Sequence, residues 1–167
     1  MYFSLVDSGG EAVYTAQAME REYPPVPLVG VAGVVIKDGC VLMIQRGREP
    51  GRGRWSIPGG RLRLGERVRN GVEREVFEEC GVRVQAGDVL GVADLIQRDD
   101  DGRIRYHYVL IDLTAEYLSG DPHPSSDALA ARWVPFDELP SLEMPDRLRR
   151  LLGRVLAEVK ASKAAGP

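Results

Sequence analysis

The sequence predicts an α/β domain, and three observations carry that prediction. β-Branched apolar runs recur at residues 28–36 (LVGVAGVVI), 40–45 (CVLMIQ) and 103–117 (RIRYHYVLIDLTAEY). Residues 67–80 and 146–160 instead repeat their apolar side chains at helical spacing. The 167 residues, 44% of them hydrophobic, suffice for one domain with a sizeable core.

Residues 1–24 have weak periodicity and are expected to form an N-terminal extension, either a tail or an arm packed on a second copy in a homodimer. Pro24, Pro25 and Pro27 then enforce an extended approach. The domain proper is expected over 25–160. Residues 28–36 read as a buried strand, Lys37-Asp38-Gly39 as a hairpin turn, and 40–45 as the returning strand. Residues 47–54 are a Gly- and Arg-rich loop, and Trp55-Ser56-Ile57 is a short extended piece before Pro58-Gly59-Gly60. The first helix is expected over 67–80, anchored by Val68, Val72 and Val76, with Glu66 at its positive end and Gly81 as its C-cap. Gly71, costly inside a helix, predicts close approach by another group.

Residues 82–97 predict one or two strands with a turn near Gly87-Asp88. Asp99-Asp100-Asp101-Gly102 is a turn rather than a calcium loop, since the closing Glu and the ligand spacing are missing. In 103–117, Ile104, Tyr106, Tyr108, Leu110 and Asp112 share one face and His107 points the other way. Residues 120–131 form a Pro/Ser loop, 132–135 a short strand around Trp133, and 136–140 a helical turn. The closing helix, 146–160, carries the stripe Leu148, Leu151, Leu152, Val155 and Val159, and 161–167 are expected to be a disordered tail.

A net charge of −3 supplies no general attraction to nucleic acid polymers or anionic membranes. Cys40 and Cys80 show no disulfide framework, which favours a reducing cytoplasm. No apolar run is long enough to span a membrane, and the N-terminus lacks the basic start and apolar core of a signal peptide.

Chemistry concentrates between residues 59 and 82. Glu75, Glu78 and Glu79 stand at i, i+3 and i+4, so a helix places all three carboxylates on one side. Their mutual repulsion turns into a binding site when a divalent cation is present, and oxygen ligands suit Mg²⁺ or Mn²⁺. Arg46, Arg48, Arg52, Arg54, Arg61, Arg63, Arg67, Arg69 and Arg74 crowd around this cluster. Cations beside such acids suit an anionic substrate, although a solvated arginine-rich surface has the same composition.

The spacing from Gly60 over five residues to Glu66, then over seven to Arg74-Glu75-Val76-Phe77-Glu78-Glu79-Cys80-Gly81-Val82, resembles the Nudix box. The flanks are similar to that family too: an opening strand pair, Trp55-x-x-Pro58-Gly59-Gly60, and a Trp133 strand followed by Phe136-Asp137-Glu138-Leu139. The resemblance implies an α/β/α sandwich with a mixed central sheet, and a Mg²⁺- or Mn²⁺-dependent hydrolase of nucleoside diphosphates linked to another moiety. It implies Glu75, Glu78 and Glu79 as metal ligands, helped by a main-chain carbonyl of Gly59 or Gly60. It implies Arg74 as the arginine that holds a glutamate in place and Glu66 as part of the loop–helix framework. Arg63 departs from the pattern, standing where many members carry an acid, which makes an outer metal ion less favourable. The general base is left open between a glutamate of the box and a later loop acid, for which Asp127 is the candidate. Its competing reading is a turn cap in Ser125-Ser126-Asp127.

The 120–140 region resembles short prokaryotic ADP-ribose pyrophosphatases. This favours ADP-ribose, or a similar nucleoside diphosphate sugar, as substrate and AMP plus a sugar phosphate as products. A mutator-type pyrophosphohydrolase of normal or oxidised (d)NTPs is the alternative, and a non-catalytic nucleotide-binding module is a third. Trp55, Tyr106 and Tyr108 are candidates to stack on a base, and Arg46 and Arg54 to meet phosphates.

Overall fold

In the computed structural model, which describes residues 21–164, the first apolar run forms β1 (Leu28–Lys37) and the second β2 (Cys40–Arg46). Asp38 (φ 48°) and Gly39 (φ 78°) both take the left-handed turn conformation that joins them. Two short strands follow, β3 (Trp55–Ser56) and β4 (Gly59–Arg61), then helix α1 (Val68–Cys80). Two long strands, β5 (Arg83–Arg98) and β6 (Ile104–Ser119), precede β7 (Ala128–Pro135), a 3₁₀ turn (Leu139–Ser141) and helix α2 (Asp146–Ala164).

The strands make a seven-stranded mixed sheet with the path β3-β2-β1-β6-β5. β1 and β6 are parallel, and the other pairings are antiparallel. One edge of β1 is shared: its end pairs with β2 through Ile36 and Lys37, while Gly30, Val31 and Ala32 pair with β4. That division brings the Gly59-Gly60 turn into the middle of the sheet.

The period of two along the strands builds two cores. Val31 and Val35 of β1 and Leu42 and Ile44 of β2 pack with Val72 and Val76 of α1. Val34, Val41 and Met43 point to the opposite face, against Leu148, Leu151, Leu152 and Val155 of α2. The helices therefore cover opposite faces of the sheet, the α/β/α arrangement expected. Gly33 sets the closeness of the α1 layer: a Cβ there would lie 2.9 Å from Val72 Cγ1. Gly71 answers it from the helix, leaving room for Leu62 and Val31.

Several boundaries differ from those read in the sequence. Gly87 and Asp88 form a bulge inside one continuous β5, not a turn between two strands: the register shifts between Ala86 and Val89, and the Asp88 amide donates to Thr114 Oγ1 at 2.9 Å. β7 starts at Ala128 rather than 132, because Ala128, Ala130 and Ala131 continue its ladder with β2. α2 continues to Ala164, through Ala161 and Lys163, residue types that favour helix. Of the expected N-terminal extension, residues 1–20 lie outside the described residues, and so do 165–167 of the tail. Residues 21–23 lie along the start of β6: the Tyr23 amide donates to the Arg105 carbonyl at 2.8 Å, and Glu22 accepts from Arg105 at 3.0 Å. No helix among the described residues is long and apolar enough to cross a membrane.

Candidate functional site

α1 carries the acids and two fixed ends aim them. At its C-terminus Gly81 adopts φ 70° and donates to the Phe77 carbonyl at 2.9 Å, closing the helix as its position predicts. The following loop then docks on the same end. His123 donates its amide to the Cys80 carbonyl at 3.0 Å, and Ser125 donates its amide to the Glu79 carbonyl at 3.1 Å. These bonds satisfy helix-end carbonyls that otherwise lack partners. They also bring residues 123–127 beside the acidic face. A cavity of about 430 Å³, lined by Phe77, Glu78, Gly81, His123, Ser125 and Ser126, opens there.

The Gly-Gly turn meets this face from the sheet. The Gly59 amide donates to Glu79 Oε2 at 2.8 Å. A Cβ on Gly60 would lie 2.4 Å from Glu75 Oε2, and one on Gly59 would lie 2.4 Å from the Val31 carbonyl. Only glycine lets the backbone stand this close to the carboxylates.

Arg74 is the hub. Its Nε and Nη2 donate to Glu66 Oε1 and Oε2 at 2.7 and 2.8 Å, a bidentate pair. Its Nη1 donates to Glu75 at 2.6 Å and to Glu78 at 3.0 Å, and Nη2 also reaches the Arg61 carbonyl at 3.2 Å. Glu66 thus acts as an anchor for Arg74 and for the β4–α1 loop, where its Oε2 accepts from the Arg63 amide at 3.0 Å. The sequence placed it as a favourable charge at the helix start, and the family resemblance implied a part in the loop–helix framework.

The three glutamates differ in environment. Glu79 is 7% exposed, and burial pushes its carboxyl up to about 7 despite the Gly59 hydrogen bond. Burial also raises Glu75, with Arg74 opposing it. Glu66 moves the other way, to about 2, because Arg74 binds its charged form. Glu78 is the most open of the box acids and is shared by Arg74 and Arg63, with Arg63 Nη2 at 2.9 and 3.3 Å from its two oxygens.

Glu75, Glu78, Glu79, Arg74, Gly59 and Gly60 therefore meet in one place. Asp127 and Arg46 border it, since the charge of each acts on Glu79. Asp127 is paired with Arg48 at 2.7 Å and Arg21 at 3.7 Å, and its carbonyl accepts from the Gly47 amide at 2.7 Å. Arg46 donates from Nε to the Pro50 carbonyl at 2.9 Å.

The other sequence candidates lie on the α2 side of the sheet or in its core. Arg54 donates to the Met144 carbonyl at 3.0 Å, and the Trp55 ring packs in the second core with Arg132 over it at 5.1 Å. Tyr106 is 3% exposed, with its hydroxyl donating to Glu22 at 2.6 Å, so it offers no open ring face in this arrangement. Tyr108, opposite Leu28 and Leu95, is only partly buried and retains accessible surface. Sequence reasoning did not find the Arg63–Glu78 and Arg48–Asp127 pairs. The crowd of arginines was visible, but nothing in the order of residues says which carboxylate each one meets.

Among the described residues, no three His, Cys, Asp or Glu side chains are already drawn together as ligands. The donor set nonetheless fits a hard divalent cation. One carboxylate, Glu79, is buried and a second, Glu75, is partly buried, both with raised titration points; among the described residues Glu79 has an amide as its one hydrogen-bond partner, and a cramped glycine turn stands alongside.

Comparisons with known proteins agree with this geometry. The profile of the NUDIX domain matches residues 26–156. A MutT-like protein of Streptomyces ambofaciens is 35% identical over 128 residues, 76% of each chain. An ADP-ribose pyrophosphatase of Methanocaldococcus jannaschii is 33% identical over 116 residues, 70% of this chain and 66% of that one. Among solved structures, a MutT NUDIX hydrolase from Burkholderia pseudomallei superposes with a TM-score of 0.67 at 32% identity, covering 78% of this chain and 98% of that one. The box, the two-core sandwich around it and these matches together make the chain a member of the Nudix hydrolase family.

Proposed function

We propose that this Nudix hydrolase splits the pyrophosphate bond of a nucleoside diphosphate derivative, with ADP-ribose, or a similar nucleoside diphosphate sugar, converted to AMP and a sugar phosphate. The observation that supports the reaction class is the meeting of Glu75 and Glu79 at the Gly59-Gly60 turn, with Glu78 tied to Glu75 through Arg74 Nη1. The named relative from Methanocaldococcus supports the choice of substrate.

Pyrophosphate resists attack because its own charge repels an incoming hydroxide. Glu75, Glu78 and Glu79, with a carbonyl of Gly59 or Gly60, would hold Mg²⁺ or Mn²⁺. The bound cation supplies charge neutralisation at the phosphates and a lowered pKa for water. The protein's own groups do the rest. Arg74 fixes Glu75 and Glu78 in orientation through Nη1. The Gly59 amide fixes Glu79. Arg46 adds positive charge beside the site, where the phosphates arrive. Asp127, on the docked loop and paired with Arg48, is our candidate to take the proton from water, with a glutamate of the box as the alternative base. Water adds to one phosphorus, the bridging P–O bond breaks with its oxygen leaving on the other phosphate, and two phosphate monoester dianions form with two protons released.

A second reading, a mutator-type hydrolysis of (d)NTPs or oxidised (d)NTPs to a monophosphate and pyrophosphate, is favoured by the MutT-like relative and the MutT structure. A panel of ADP-ribose, other diphosphate sugars, dinucleoside polyphosphates and (d)NTPs with Mg²⁺, products resolved by chromatography, separates them. AMP from ADP-ribose at the highest kcat/KM is expected. Pyrophosphate from dGTP with no AMP from ADP-ribose would replace the first reading with the second. Tight nucleotide binding with no turnover would reject both in favour of a binding module.

A further inference from the structure

Glu78 has two guanidinium partners, and they are not alike. Arg74 is locked: its side chain is 16% exposed and it also holds Glu66, Glu75 and the Arg61 carbonyl. Arg63 is loose: its side chain is 61% exposed, and among the described residues only its Nη2 contacts a carboxylate, Glu78, at 2.9 and 3.3 Å. Its backbone, by contrast, is tethered, because its amide donates to Glu66 and its carbonyl accepts from the Glu66 amide at 3.0 Å. A tethered backbone with an exposed side chain paired to one carboxylate is a short swinging arm over the acidic face.

Resting on the reading of Glu78 as a cation ligand, we propose that Arg63 is an exchangeable counter-ion. It neutralises Glu78 while no cation is bound, gives that carboxylate up when one arrives, and passes its freed guanidinium to a phosphate oxygen of the substrate. An exposed ion pair is weak and yields readily to a divalent cation. The distance to travel is short. Ligands side by side on six-coordinate Mg²⁺ stand about 3 Å apart, so a phosphate sharing the cation with Glu78 arrives within reach of a group already contacting Glu78. A planar guanidinium then offers the phosphate a bidentate match that an ammonium does not. Arg63 would supply as a side chain some of the positive charge that an additional metal ion would otherwise bring to the phosphates.

The test is binding rather than turnover. Mn²⁺ affinity of the full chain at pH 7.5, with free Mn²⁺ followed by electron paramagnetic resonance, is compared for wild type, Arg63→Ala and Glu78→Gln. Affinity for the uncleavable methylene analogue of ADP is then measured at saturating Mn²⁺ for wild type and Arg63→Ala. Arg63→Ala should bind Mn²⁺ about three- to fivefold more tightly, the reverse of losing an exposed ion pair. It should bind the analogue about tenfold more weakly. Manganese affinity no tighter than wild type, or unchanged analogue affinity, overturns the exchange while leaving the metal ligands standing. Glu78→Gln binding Mn²⁺ as well as wild type would instead overturn the ligand reading on which the exchange rests.

Discussion

Replacing Glu79 by Gln should stabilise the metal-free protein, and only above a definite pH. Glu79 is 7% exposed and titrates near 7 in the fold, against 4.5 for the free side chain. Its folded-state pKa is raised, so its favourable contribution is complete below the unfolded value. That contribution is lost as pH climbs through 7, because the folded state must then hold a buried carboxylate. At 1.36 kcal/mol per pH unit the loss approaches about 3 kcal/mol, and local relaxation brings it to about 2–3 kcal/mol. Gln mimics the neutral acid: its carbonyl oxygen can accept from the Gly59 amide and no charge is buried. For a domain of this size about 2–3 kcal/mol corresponds to roughly 5–10 °C in Tm. Thermal melts in EDTA should coincide at pH 4.5 and separate between pH 5 and 8, with the variant higher. Saturating Mg²⁺ should raise the wild type far more than the variant, closing the gap by mass action. A gap that is the same at pH 5 and pH 8, or a variant no more stable than wild type at pH 8, would refute the reasoning.

Two further perturbations probe the frame of the site. Gly60→Ala puts a Cβ 2.4 Å from Glu75 Oε2 and must displace that carboxylate; kcat should fall at least about tenfold, while circular dichroism stays that of the wild type. Arg74→Leu leaves Glu66 and Glu75 without their cation and should cost about 3 kcal/mol at pH 7 in denaturant unfolding. Glu66 has a lowered pKa, so its share of stability is present above 4.5 and is lost as pH falls through about 2, and the deficit of the variant should shrink over that window.

The parts of this molecule that obey a local rule were legible from the residues. The continuous apolar run over 28–36 marked a strand buried on both faces, as Val31 and Val34 are on opposite sides of the sheet, and helical spacing put Val72 and Val76 on the stripe that packs against it. Gly81 announced the end of α1 because a left-handed cap favours glycine. What escaped depends on tertiary neighbours. Gly87-Asp88 carries the same composition in a turn and in a bulge, and only the ladder to β6, with Thr114 beneath it, decides between them. The periodicity that put Tyr106 on one face of β6 could not show that Glu22, far away in the chain, would tie down its hydroxyl. The loop over residues 120–127 reaches the acids through backbone amides of His123 and Ser125, which no side-chain pattern encodes. For the same reason the box spacing located the carboxylates but not their differences. Burial against Gly59 sets Glu79 apart, and exposure beside Arg63 sets Glu78 apart.

Pyrophosphate cleavage is proposed to depend on a cation held by Glu75, Glu78 and Glu79, of which Glu75 and Glu79 meet the Gly59-Gly60 turn. This dependence is tested most directly by kcat for Glu78→Gln and Glu79→Gln, each with saturating Mg²⁺ and the panel substrate that wild type turns over fastest. The account predicts a fall of more than about a thousandfold in each, a loss of about 4 kcal/mol in transition-state stabilisation. Rates within about tenfold of wild type in both variants would contradict it.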